Sequence, residues 1–170
     1  GYEFQIDRSL SDFFKSLDNN RHVFQIGGYY DLNQQLTTGL EGEYAFRDYS
    51  NSNLPNSQND NDSYTVGPAL VITPSTRTVI NLKVGYTSID YSTSGGIVDL
   101  ENFEGVTFSA SLNNRLTDST DHGITAIRMV DDGFGTNFAE QTSIGYNITS
   151  RFSRGLTGNL NALYTWLDTS

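Results

Sequence analysis

The chain has no cysteine, few cations and no long apolar run. The missing cysteine excludes disulfides and thiolate metal sites. Only 10 Lys and Arg stand against 20 Asp and Glu, a net charge of −10. Nucleic acid is therefore not an expected partner, because phosphate binding needs clustered Lys and Arg. No apolar run approaches the ~20 residues of a transmembrane helix.

Groups suited to catalysis are equally scarce. The two histidines are His22 and His122, and Asp121 next to His122 points the opposite way if the segment is a strand. No serine stands in a nucleophile-elbow context. The acidic stretches 59–63 and 131–133 offer oxygen ligands for a divalent cation but lack the EF-hand pattern, which favours solvated loops. We therefore predict no catalytic residue, no metal site and no cofactor.

What the chain does have is alternation. Apolar residues recur at every second position over most of its length, with polar residues between them. The segments that show this best have apolar positions Leu36, Leu40, Tyr44 and Phe46; Ile80, Leu82, Val84 and Tyr86; and Val106, Phe108, Ala110 and Leu112. Side chains on a strand alternate between two faces, so each segment predicts a strand with one apolar and one polar face.

We predict about nine strands in one domain covering residues 1–170. They occupy residues 2–8, 22–30, 36–48, 64–73, 78–91, 103–113, 117–130, 138–149 and 156–167. Short connections at 31–35, 73–77, 113–116 and 149–155 carry turn residues, whereas long connections at 9–21, 49–63, 92–102 and 131–137 are polar. Loops that are long on one side only are typical of an antiparallel transmembrane β-barrel. The alternative is a soluble β-sandwich.

The aromatic residues favour the barrel. On most strands the rings lie near the end that joins a long connection, which predicts a girdle at one membrane edge. Its members are Phe24, Tyr44, Phe46, Tyr49, Tyr64, Tyr86, Tyr91, Phe103, Phe138, Tyr164 and Trp166. A thinner set at the other edge comprises Tyr30, Tyr146 and Phe152.

Two features fit this pattern less simply. Pro68 lies on an apolar position and cannot donate a ladder hydrogen bond, which predicts a bulge or weak pairing. The segment 124–129 does not alternate clearly between apolar and polar residues, so it does not indicate which side chains face outward. We expect Arg128 to point inward and Ile127 and Met129 outward, because a cation on the lipid face costs ~2–4 kcal/mol at midplane.

The strand count bears on the size of the barrel. Nine strands are odd, whereas bacterial single-chain barrels are usually even, so we expect a segment of a larger barrel. An eight-stranded barrel is the competing interpretation, with 156–167 surplus. Gly1 is not followed by a basic, apolar leader, so any secretion signal is expected to be removed or to lie outside this sequence.

The polar positions of the strands define the candidate site. We predict that they line a pore, and that hydroxyl and amide groups suit water and neutral or sugar-like solutes better than a strongly ion-selective filter. The alternative is a plugged interior where these groups bond to one another. The predicted lining residues are Glu41, Glu43, Arg47, Asn81, Lys83, Ser109, Ser111, Asn113, Arg128, Gln141, Asn147, Asn159 and Asn161.

Two stretches resemble the hairpins of a known family. Residues 70–86 followed by Asp90-Tyr91, and residues 108–117 leading through Arg128 to Asn137-Phe138, resemble the β-barrel porin type 2 family. The resemblance implies a larger outer-membrane barrel, and some members are linked to exopolysaccharide export. The resemblance lies in the pattern of the repeated hairpins, and it includes no catalytic or binding motif.

The sequence thus predicts a barrel of the bacterial outer membrane that forms a polar-lined pore. Its function would be passive diffusion or export of hydrophilic solutes, exopolysaccharide among them. The alternative is a non-conducting structural or adhesive barrel whose long acidic loops bind a partner. Expected partners are outer-membrane lipid and lipopolysaccharide, a polysaccharide or other hydrophilic solute, and proteins of an export system.

Overall fold

A computed structural model describes residues 2–7, 19–49, 59–92, 101–132 and 137–168. These residues contain the strands and the four short connections. The predicted long connections lie largely outside the described residues.

The described chain forms one antiparallel sheet. A short first strand is followed by eight long strands of 13 to 16 residues, each paired with its neighbours in sequence. The strands are β1 (Tyr2–Asp7), β2 (Asn19–Asn33), β3 (Leu36–Tyr49), β4 (Asn61–Ser75), β5 (Thr78–Tyr91), β6 (Phe103–Thr117), β7 (Thr120–Asp132), β8 (Phe138–Ser153) and β9 (Leu156–Asp168). The all-β antiparallel class predicted from the alternation is confirmed.

The sheet is not closed within the described residues, because β1 and β9 end the strand order. The described residues form no helix of the length and apolarity that a membrane crossing requires.

The four short connections share one construction. Each is a two-residue turn, at Gln34-Gln35, Thr76-Arg77, Asp118-Ser119 and Arg154-Gly155. In each hairpin the register shifts by one residue just before the turn. Neighbouring hairpins are also joined here, since the amides of Thr73, Arg115 and Arg151 donate to the carbonyls of Gln35, Arg77 and Ser119, each at 2.8 Å.

The turn predicted at 113–116 is wrong. The β6–β7 ladder continues through Arg115↔Asp121, and the chain reverses at Asp118-Ser119. Arg115 Nε lies 3.1 Å from Asp121 Oδ1 across the two strands. The Ser119 amide donates to Thr117 Oγ1 at 3.2 Å and closes the turn. This local side-chain bond outweighs the turn preference of the Asn113-Asn114 pair.

The register gives the whole sheet two distinct faces. Apart from the last pair beside each turn, odd-numbered residues pair with odd ones and even with even in every ladder. Partners in a ladder share a face, so along the main ladders odd residues lie on one face and even residues on the other. We call these the odd face and the even face. The end of the β7–β8 pair departs from this division, because the even residues Val130 and Phe138 pack against Ile89 and Phe103.

Large apolar side chains are exposed mainly on the even face. They include Phe24, Ile26, Tyr30, Leu40, Tyr44, Tyr64, Val66, Leu82, Val84, Tyr86, Val106, Ile144, Leu160, Tyr164 and Trp166. A contiguous apolar surface of this extent marks a membrane or protein contact rather than a solvated face.

The odd face is concave. Arg47 on β3 reaches Asp131 on β7, with Nη1 3.3 Å from Oδ1, although β4, β5 and β6 lie between these strands in the sheet. Glycines concentrate on this face, where side chains converge and space is short. They are Gly27, Gly39, Gly67, Gly85, Gly105, Gly123 and Gly145.

The weak pairing predicted at Pro68 is confirmed. The β3–β4 ladder passes Leu40↔Pro68 without a break, but the β4–β5 ladder skips from Val66↔Tyr86 to Ala69↔Lys83. Proline offers no amide hydrogen to this ladder. The neighbouring Gly67 lies against the β5 backbone, where a Cβ would be 2.6 Å from the Cα of Gly85.

Candidate functional site

Twelve of the thirteen predicted lining residues share the odd face, as the strand register shows. They are Glu41, Glu43, Arg47, Asn81, Lys83, Ser109, Ser111, Asn113, Gln141, Asn147, Asn159 and Asn161. The concave surface is therefore the candidate site. It is formed by odd-numbered residues of the eight long strands.

Arg128 is the exception, and its predicted inward orientation is wrong. It pairs with Phe108 and Thr142, which places it on the even face. Ile127 and Met129 consequently lie on the odd face. All three residues border one cavity, so their assignment to faces follows from the strand register. Glu140, also on the even face, forms an ion pair with Arg128. This neighbouring carboxylate balances the positive charge of Arg128.

Charged groups on the odd face are paired with each other. Lys83 Nζ lies 2.5 Å from Glu41 Oε2, and Arg21 Nη2 lies 3.6 Å from Glu43 Oε1. Both carboxylates also accept hydrogen bonds, Glu41 from the Tyr29 hydroxyl and Glu43 from Gln25 Nε2 at 2.9 Å. The two acids among the predicted lining residues are thus balanced by nearby cations.

A row of hydroxyl groups crosses three neighbouring strands. Thr87 Oγ1 on β5 lies 2.8 Å from Thr65 Oγ1 on β4 and 2.9 Å from Thr107 Oγ1 on β6. Gly85 leaves room for this row, because a Cβ there would lie 2.7 Å from the Thr65 methyl carbon. A hydroxyl both donates and accepts, so the row offers hydrogen bonds to water or to a hydroxylated solute.

Two cavities open onto the odd face. One of about 290 Å³ is bounded by residues of β2 to β7, among them Arg21, Glu43, Lys83, Thr87 and Met129. A second of about 270 Å³ lies between Gln25, Tyr29 and Glu41. Both have mixed polar and apolar walls.

A buried cluster crosses the concave side near the long connections. We call it the end cluster, formed by Asn59, Ile89, Phe103, Asn137 and Phe138. The Phe103 and Phe138 rings meet edge to face with centroids 5.3 Å apart. Asn59 and Asn137, both 0% exposed, are joined by a 2.8 Å hydrogen bond from Asn59 Nδ2 to Asn137 Oδ1. Asn137 Nδ2 donates to the Glu101 carbonyl at 3.1 Å.

The end cluster corrects the predicted girdle. Tyr49, Phe103 and Phe138 are only 4–6% exposed, and Tyr91 packs against the same cluster. These four rings do not face outward. The sequence indicated this orientation for three of them. Residues 49, 91 and 103 have odd numbers and so belong to the face opposite the other predicted girdle positions, which are even. Asn59 and Asn137 were missed, and no local pattern marks them.

The remaining girdle residues do lie together on the even face. Phe24, Tyr44 and Tyr64 are direct neighbours across β2, β3 and β4, and Tyr86 lies opposite Val66. The Tyr44 hydroxyl donates to Asp62 at 2.9 Å and the Tyr86 hydroxyl to Glu104 at 3.0 Å. At the opposite edge Tyr30, Tyr146 and Phe152 are also exposed.

The histidines and the acidic stretch have ordinary packing roles. His22 stacks on Phe46 with centroids 4.5 Å apart, and His122 contacts Tyr146 at 5.9 Å. Asp60 Oδ1 accepts the Tyr49 amide at 2.7 Å. Among the described residues no group of three His, Asp or Glu side chains could hold a metal ion. Gly133, in the second acidic stretch, lies outside the described residues.

Comparison with family models, with curated proteins and with solved structures finds no match to this chain. The resemblance to the β-barrel porin type 2 family stays a prediction.

Proposed function

We propose that this chain forms the wall of a bacterial outer-membrane β-barrel that conducts hydrophilic solutes. The observation that carries the proposal is the parity of the sheet. Along the main ladders the odd residues form one concave face that carries most of the paired polar groups, and the even residues form a face that carries most of the exposed large apolar side chains. A barrel in lipid needs this division, with apolar residues outward and polar residues inward.

The even face supports placement in a membrane. Strands of 13 to 16 residues exceed the ~9–11 residues that a tilted strand needs to cross a bilayer. Exposed rings near both ends of the strands suit the two interfaces between lipid and water. Lipid and lipopolysaccharide would cover this face.

The sheet edges favour a barrel larger than nine strands. Within the described residues β9 pairs only with β8, and nearly all its side chains are exposed. An open edge in lipid leaves backbone groups without partners, which is strongly unfavourable. Further strands of the intact protein would pair with β1 and β9 and close the wall.

The lining favours a neutral, hydroxyl-rich solute. Hydroxyls and amides dominate the odd face, and Glu41 and Glu43 are each paired with a cation. Paired charges give a weaker field for ions than a ring of one sign. The resemblance to the porin family suggests exopolysaccharide as such a solute, carried together with protein partners of an export system.

Single-channel conductance of the intact protein in a planar bilayer tests this proposal. We expect a steady conductance, and we expect it to fall when a neutral polysaccharide is added on one side. A correctly inserted protein that passes no current under any voltage or variant would contradict the conduit.

One observation favours a second candidate, a non-conducting structural or adhesive barrel. The end cluster crosses the concave face at the end of the long acidic connections. A permanently closed lumen would leave those connections free to bind a partner. The same bilayer experiment separates the two, because an adhesive barrel inserts without conducting.

A further inference from the structure

The ladder between β6 and β7 ends before either strand does. It runs from Thr117↔Thr120 to Phe108↔Arg128. The β5–β6 ladder nevertheless continues to Phe103, and the β7–β8 ladder continues to Asp132↔Phe138. The last part of the β7–β8 hairpin is therefore separate from β6. We call residues 129–132 and 137–140 the β7–β8 end.

The β7–β8 end turns inward over the concave face. Asp131 Oδ1 lies 3.3 Å from Arg47 Nη1 of β3. Met129, Val130 and Asp131 enclose a cavity of about 110 Å³ together with residues of β2, β3, β4 and β5, Arg47 among them. The β7–β8 end therefore lies opposite β3 across the concave face, and its residues share a cavity with β2, β4 and β5.

Side-chain contacts hold the β7–β8 end in this position. Phe138 and Val130 pack against Phe103 and Ile89. Asn137 bonds to Asn59 and to the Glu101 carbonyl, so its buried amide has partners in the closed arrangement. Moving the β7–β8 end outward breaks these side-chain contacts. It breaks no backbone pairing with β6, because the β6–β7 ladder already ends at Phe108↔Arg128.

We propose that the β7–β8 end is a latch that closes the conduit at the end of the long connections. The conduit opens when the Arg47–Asp131 ion pair and the Asn59–Asn137 bond release together. The inference rests on the proposed function and adds a closed state to it. The cavities lined by Thr87 and by Tyr29 belong to the conduit beneath the latch.

A reversible cross-link tests the latch directly. The chain has no cysteine, so Asn59→Cys and Asn137→Cys in the intact protein introduce the only thiols of this chain. A short bifunctional methanethiosulfonate reagent bridges them, and a reductant releases the bridge. We expect a closed channel while the bridge is present and at least a several-fold higher conductance after reduction. Failure of the two thiols to bridge would contradict the closed arrangement.

A charge variant tests the same latch without cysteines. Arg47→Ala removes the contact with Asp131, and we expect a several-fold higher open probability than in the wild type. Arg21→Ala is the matched control, because Arg21 lies on the same face but pairs with Glu43. Equal open probabilities for Arg47→Ala, Arg21→Ala and the wild type would contradict the latch.

The outcomes separate this inference from the proposed function. If the double-cysteine variant conducts equally with and without the bridge, the conduit is retained and the latch is contradicted. If the inserted protein passes no current with the bridge released, and the Arg47→Ala variant passes none either, both the conduit and the latch are contradicted.

Discussion

Gly67 on β4 lies directly against the backbone of β5. A Cβ at this position would fall well inside van der Waals contact of the Val84 carbonyl oxygen and 2.6 Å from the Gly85 Cα. Both neighbours are backbone atoms, so no flexible side chain can give way. We expect Gly67→Ala to lower the free energy of unfolding by about 1–3 kcal/mol, the usual cost of overpacking. Urea titration of the refolded protein in detergent measures it.

Gly28→Ala is the control for this change. No heavy atom lies within 4 Å of a Cβ at Gly28. The same added methyl should leave stability within about 0.5 kcal/mol of the wild type, as surface substitutions usually do. Equal effects of the two variants would contradict the close approach at Gly67.

Thr87 provides a second test at the residue scale. Its hydroxyl bonds to both Thr65 and Thr107, so Thr87→Val removes two hydrogen bonds with little change of shape. We expect a loss of about 1–2 kcal/mol in the free energy of unfolding. Thr87→Ser keeps the hydroxyl and should lose less. If Thr87→Val proves more stable than Thr87→Ser, the row of hydroxyl groups does not contribute to the free energy of unfolding.

Two residues show what the sequence could indicate about orientation and what it could not. Arg128 was assigned inward from the cost of a charge in lipid, yet the ladder carries it to the even face beside Glu140. That carboxylate lies 12 residues away in the chain, and alternation alone does not show the pairing. Phe103 was grouped with the girdle by its position along the strand, although its odd number indicated the other face.

At the scale of one strand, the division between faces makes neighbouring positions unequal. Leu82 on β5 lies on the even face and the adjacent Asn81 on the odd face. In the proposed membrane setting, we expect Leu82→Arg to reduce the free energy of folding into vesicles by about 2–4 kcal/mol. Asn81→Arg adds the same side chain to the polar face and should cost much less. The measurement is the folded fraction in vesicles across a urea series.

The strands themselves were largely predictable. The bounds of β5 agree with the sequence at both ends, and the predicted starts of β3, β6, β8 and β9 are correct. Alternation is a local property, and it is continuous inside each strand. Several strands extend further toward the turns than predicted, because cross-strand pairing continues through residues that also favour turns.

At the scale of the whole molecule, the proposed conduit gives the odd and even faces different electrical roles. Replacing Glu41 and Glu43 by Lys would leave Arg21 and Lys83 without acidic partners in the lining. We expect the zero-current potential in a salt gradient to shift toward anion preference. The double variant Asp62→Lys with Glu104→Lys makes the same charge change on the even face. An equal shift in both double variants would contradict the assignment of Glu41 and Glu43 to the lumen.

The curvature of the sheet could not be predicted from the sequence. The contacts that reveal it join residues 84 apart, for Arg47 and Asp131, and 78 apart, for Asn59 and Asn137. Periodicity fixes which face a side chain occupies but contains no information about which distant strand lies opposite. The end cluster and the latch depend on such pairs, so they emerged only from the three-dimensional arrangement.

The strict neighbour order of the sheet has a consequence for how such a wall changes size. Every ladder joins consecutive strands, and equivalent contacts recur between hairpins, as in Tyr44 with Asp62 and Tyr86 with Glu104, each 18 residues apart. A unit that contacts only its neighbours can be duplicated or deleted with little effect on the rest. Gene duplication of whole hairpins would therefore widen this wall while preserving its faces, whereas losing a single strand would reverse the chain direction of all that follows.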